Sequence, residues 1–144
     1  MTMYFKVCTL CISLSLFFFK SVMAEDYTMT NALKYEITKS VETSNGSFMG
    51  LVAEGVWTDS RGNSGTVICV GYRGKELFAN CNSKDQDGDI QFSTAKRTGK
   101  DGINTIDGGT GKYANVTGRC VYQVDAFDKN ILVGLISIQC SDSR

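Results

Sequence analysis

The chain has 144 residues, with 15 basic and 15 acidic side chains, no histidine and no proline. Formal neutrality without a basic cluster argues against nucleic acid as a partner, and against attraction to an anionic lipid surface. With no histidine, Ser-His-Asp and Cys-His catalysis are excluded, and the commonest general base and metal ligand are missing.

The first 24 residues differ from everything after them. Lys6 precedes an almost unbroken apolar run, Val7–Phe19, which Lys20 closes, and Val22-Met23-Ala24 puts small residues where an export peptidase reads. That pattern predicts a signal peptide over 1–24, cut after Ala24. The run is shorter than the roughly 20 apolar residues that span a bilayer, so no stable membrane anchor is expected after cleavage. Cys8 and Cys11 lie inside or before the run, not at its end, so lipidation is not expected and both leave with the leader. The expected domain is 25–144, periplasmic or secreted, with 13 basic and 15 acidic residues. Its 120 residues suffice for one modest core.

Beyond the leader no helical period persists. Short runs rich in Val, Ile, Thr, Tyr and Phe alternate with Gly, Asn and Asp breaks, the pattern of an antiparallel sandwich or barrel. Strands are predicted at 33–42, 48–58, 65–72, 76–82, 89–95, 103–107, 117–126 and 131–140. The breaks include Ser44-Asn45-Gly46, Arg73-Gly74, Asp85 to Gly88 and Gly108 to Gly111.

Cys69, Cys81, Cys120 and Cys140 form an even set in an exported chain, which predicts two disulfides over a zinc site. In the last two strands a register centred on residue 130 sets Cys120 opposite Cys140. It also pairs Tyr122 with Ile138, Val124 with Ile136 and Ala126 with Gly134, an apolar or small face throughout. A one-residue slip would exchange the faces, so the agreement specifies the register and a Cys120–Cys140 bridge. Cys69 and Cys81 centre on residue 75, beside the Arg73-Gly74 turn. Their face also carries Arg73 and Ser83, with Ile68, Val70 and Phe78 on the other side. A local Cys69–Cys81 bridge is the simplest assignment, and exchange of partners with the C-terminal hairpin stays open.

The segment Gly108-Gly109-Thr110-Gly111-Lys112-Tyr113, continuing to Gly118, resembles the G-G-T-G-[K/R]-[F/Y]-x-x-x-x-G signature of dirigent proteins, allene oxide cyclases and small exported bacterial relatives. The acidic hairpin Asp85-Gln86-Asp87-Gly88-Asp89 is similar to one in the same bacterial proteins. The resemblance implies an all-β fold, a single eight-stranded antiparallel β-barrel. In it Gly108, Gly109, Gly111 and Gly118 would shape a structural turn, and Tyr113 would plug a barrel end. Plant members are associated with cyclisation or with steering phenoxy-radical coupling, but the shared motif is a turn, so activity does not come with it.

The Gly108–Gly111 loop lacks the spacing and following helix of a phosphate-binding loop. Asp85, Asp87 and Asp89 could offer oxygens to calcium, yet their spacing misses the EF-hand loop, and a solvated turn is preferred. No cofactor is expected. Glu54 shares one face of its strand with Phe48, Val52 and Val56; were that face interior, its carboxylate could act as a general acid or ligand anchor. The other assignment makes Met49, Leu51, Ala53 and Trp57 the core face and puts Glu54 outside. Trp57 and Tyr122 read as core before ligand shelf. The function expected is non-catalytic binding of a small apolar molecule. A homo-oligomer joined through apolar outer faces such as that of 131–138 and a cyclase- or isomerase-like enzyme using Glu54 are the alternatives.

Overall fold

The computed structural model describes residues 24–143, so nearly all of the predicted leader lies outside the described residues. Eight strands follow in chain order: β1 Ala24–Thr43, β2 Gly46–Asp59, β3 Ser64–Arg73, β4 Leu77–Asp85, β5 Ile90–Arg97, β6 Asp101–Gly109, β7 Thr117–Asp128 and β8 Val133–Ser143. Each pairs antiparallel with the next, and β8 returns to β1 from Ala24↔Ser143 to Lys34↔Val133, closing the barrel. Closure removes the free sheet edges that would otherwise invite pairing with other chains.

All eight predicted strands are present, but β1 starts nine residues before the predicted 33. Its first half shows the alternation of a half-buried strand, with Tyr27, Met29 and Leu33 in the core. The acidic start and the inward Asn31 hide that alternation in the sequence.

Both disulfides join directly opposed residues, Cys69–Cys81 across β3 and β4 and Cys120–Cys140 across β7 and β8. The β3–β4 ladder keeps the expected register throughout. Its mixed face is the interior one, while Ile68 and Val70 point to solvent. In β7–β8 the pairs Tyr122↔Ile138 and Val124↔Ile136 occur as expected, and the register then shifts. Asp125 and Ala126 together face Leu135, a bulge, so Phe127 and not Ala126 pairs with Gly134. The turn beyond it holds Leu132 at φ 52°, the single non-glycine residue with positive φ among those described.

Hairpin connections alternate between the barrel's ends. The β1–β2, β3–β4, β5–β6 and β7–β8 turns gather at one end. The β2–β3, β4–β5 and β6–β7 connections meet the two described termini at the other. The core is packed toward that second end, where Trp57, Ile106, Tyr113 and Val116 are buried.

The two bridges close loops of 12 and 20 residues. Loop entropy therefore predicts that replacing either cysteine pair by alanine lowers the unfolding free energy by about 3 kcal/mol, with the Cys120/Cys140 pair costing slightly more. Urea unfolding of the two double variants measures this.

Candidate functional site

Inward residues paired across successive ladders form partial rings that climb the tilted wall: the one through Met49 and Ile138 passes on to Met29 and Asp59 at the plugged end. One ring runs Met49, Arg73, Leu77, Arg97, Gly102, Tyr122 and Ile138 through successive ladders. The next ring toward the plugged end runs Leu51, Gly71, Ala79, Ala95, Asn104 and Cys120. The small Ala79 and Ala95 of this second ring border a cavity of about 380 Å³. Leu33, Leu51, Ile136 and Ile138 give it an apolar wall.

The polar lining is sparse and of one sign. Tyr35, Tyr122, Asn31, Asn104, Arg73, Arg97 and Lys129 contribute, and no carboxylate does. Burial pushes the Tyr122 hydroxyl up to about 12, against the opposing pull of Arg97. Burial also raises the Tyr35 hydroxyl, again with Arg97 opposing. Both tyrosines are therefore neutral hydrogen-bond donors at ordinary pH. Tyr122 occupies the gap left by Gly102, where a Cβ would collide with the phenol ring. Tyr35 meets Phe127 edge to face at 5.7 Å, tying β1 to the end of β7. The amide oxygens of Asn31 and Asn104 have no hydrogen-bond partner among the described residues.

The opposite end is closed by ion pairs. Arg61, on the β2–β3 turn, lies over the Tyr27 ring at 3.5 Å and reaches Asp59, Asp142 and Glu25 at 3.1, 3.2 and 3.2 Å. Burial alone would push the Asp59 carboxyl up, but donors from Asn63 and Arg61 outweigh it and hold it below 3.8. Beside this plug, the glycine-rich turn and the acidic hairpin dock on each other. The Lys112 ammonium lies 2.7 Å from Asp85 and 2.9 Å from Asp87, and the Lys112 N–H donates to Asp89 Oδ2 at 3.1 Å. Thr110 Oγ1 accepts from the Ile90 N–H at 2.8 Å.

Gly108 and Gly111 have φ of 107° and 48°, and a Cβ on Gly111 would strike the Asp89 carboxylate. Tyr113 fills the barrel end, its hydroxyl pushed up to about 12 by burial and then by Asp85. Gly109 and Gly118 carry no positive φ; they sit where a Cβ would meet the backbones of Ile90 and Ser141.

These positions sort the expected site residues. Tyr122 lines the cavity. Trp57 is buried in the plugged half, where its indole N–H donates to Thr66 O at 3.2 Å, and it does not line the cavity. Glu54 is exposed on the outer wall opposite Ile68, which corrects its assignment as an interior acid or ligand anchor. The face it shares with Phe48 and Val56 is apolar but outward. Asp85 and Asp87 hold the Lys112 ammonium group and Asp89 accepts from the Lys112 backbone N–H, so a lysine takes the place a cation would hold. The sequence reasoning missed the cavity's own cations, Arg73, Arg97 and Lys129. Their one signal was Arg73 on the cysteine face of β3.

No known family's sequence profile matches the chain, and no curated protein matches it. Among solved structures, the pterocarpan synthase dirigent protein GePTS1 has the same fold, with a TM-score of 0.57. The match covers 85% of this chain and 89% of that one at 10% sequence identity. The chain thus shares the eight-stranded barrel fold of a dirigent protein, the fold its glycine-rich turn suggests.

Acid should open the plugged end first. Burial raises the Asp85 carboxyl, but Lys112 and the N–H groups of Asp87 and Asp89 outweigh it and leave it below 3.8, as with Asp59. Depressed carboxyls stabilise the fold fully above their unfolded values, and that stability is lost as pH falls through the folded ones. Unfolding free energy should therefore hold to about pH 5 and drop below about pH 4. Lys112→Met should cost about 1–3 kcal/mol near neutrality and flatten the acid decline, as denaturant melts across pH would show.

Proposed function

We propose that the protein is an exported, non-catalytic binding protein that takes one small apolar molecule into the open half of its barrel. The observation that carries this is the cavity, an apolar chamber with a few convergent polar groups. The leader and the two disulfides support an oxidising destination outside the cytoplasm. The likeness to a dirigent protein fits a role in holding or guiding a molecule. A buried-acid cyclase built on Glu54 lacks its acid, because that side chain faces solvent.

The test uses the neutral fluorescent probe N-phenyl-1-naphthylamine with the oxidised domain. The wild type should bind it with enhanced emission. Ala95→Phe, which projects a ring into the cavity, should lower the affinity at least about tenfold, the equivalent of 1.4 kcal/mol. Glu54→Gln should leave binding unchanged. Absence of binding, or equal binding by the Ala95→Phe protein, would overturn the assignment.

A second reading has its own observation. The outer faces of β2 and β3 expose Val56, Ile68, Val70 and Tyr72 on neighbouring strands, with Val70 56% exposed. Phe48, Tyr72 and Phe78 stack beside them at 5.1 and 5.6 Å. Contiguous apolar wall of this kind suits a second copy of the chain. Sedimentation of the wild type should then show more than one barrel per particle, and Val70→Lys should shift it to the monomer. A wild type that sediments as a monomer at high concentration would remove this reading.

A further inference from the structure

The three cavity cations have no counterpart in the wall. Arg73 and Arg97 both pair with Leu77, on the strand between them. At about 4.8 Å per strand their backbones are roughly 10 Å apart. Lys129 approaches from the β7–β8 turn. Among the described residues, none of the three enters an ion pair within 4 Å, whereas Arg61 and Lys112 at the other end have five between them. Glu42, Glu76, Asp101 and Asp128 lie on or beside the turns at this end, and none lines the cavity.

From this asymmetry we infer that the ligand is an apolar molecule bearing one anionic group, bound with its body in the chamber and its anion at the Arg73–Arg97–Lys129 mouth. The inference rests on the binding function proposed above and supplies its chemical class. Guanidinium groups suit it for two reasons. They offer paired N–H donors to a carboxylate or sulfate, and they remain charged beside an apolar wall. Tyr35 and Tyr122 add neutral donors to the same lining, so the anion meets donors and no competing carboxylate. The small side chains of Ala79 and Ala95 in the lining leave room for the apolar body.

Four probes with one alkyl chain separate head group from body: decanoate, decyl sulfate below its micelle concentration, decanol and decylamine. Calorimetry on the oxidised domain should give both anions at least about tenfold tighter binding than decanol, with decylamine weakest. Arg73→Gln and Arg97→Gln should each weaken the anions severalfold and leave decanol unaltered, which also reports that the variants are folded. Lys75→Gln, on the same turn but outside the lining, should change nothing. Equal binding of all four probes, or tightest binding of decylamine, would overturn the anionic class while leaving the apolar cavity standing. Binding of none would overturn both. Decanoate and decyl sulfate answer separately, so a preference between them identifies the head group.

Discussion

The rest of the structure depends on the pairing of β8 with the first half of β1. Once that ladder closes the sheet, every strand has one inward and one outward face, and no register slip is tolerated without turning the core out. An eight-stranded barrel is just wide enough for side chains to fill. Whether it is solid or hollow is then decided level by level by the sizes of the inward residues. Trp57, Tyr27 and Tyr113 make one half solid. Ala79 and Ala95 help leave the other half open.

The same closure separates the charges. Hairpin turns alternate between ends, so alternate loops of a formally neutral chain face different surroundings. At the plugged end Arg61 and Lys112 are each paired with carboxylates. At the mouth the cations stay unmatched. Desolvating a charge without a partner is costly, which is why Arg73 and Lys129 stay exposed at the rim while their stems border the cavity.

Much of this was legible because period-two patterns and turn residues are local. The eight strands, the Cys120–Cys140 register as far as Val124↔Ile136 and the glycine-rich turn all rest on neighbours in sequence or in one hairpin. What was hidden required knowledge of distant partners. The face of β2 was ambiguous because Val52 and Val56 are as apolar as Leu51 and Ala53, and only the closed barrel shows which set is inside. The bulge at Asp125 leaves no signature beyond an acidic residue in a strand. The acidic hairpin resembled a cation site because its actual cation, Lys112, belongs to another motif 25 residues from Asp87. The two motifs that mark the family resemblance are halves of one contact.

A hollow half weakens a small barrel, because apolar area that could be buried lines a cavity instead. One cross-link falls where that loss is felt. Cys69 and Cys81 themselves line the chamber on β3 and β4, whereas Cys120–Cys140 joins β7 and β8 outside the lining, with Cys140 opposite Tyr27 of the plugged half. These are the hairpins whose turns bring Arg73 and Lys129 to the mouth. A covalent rung constrains the unfolded chain and fixes the wall without filling the interior, so it offsets the missing core while keeping the space. Under the proposed binding function, a wall held in this way lowers the ordering cost of taking up a ligand. Stability is therefore divided between the ends: packed aromatics and ion pairs hold the floor, and the Cys69–Cys81 rung holds the open wall.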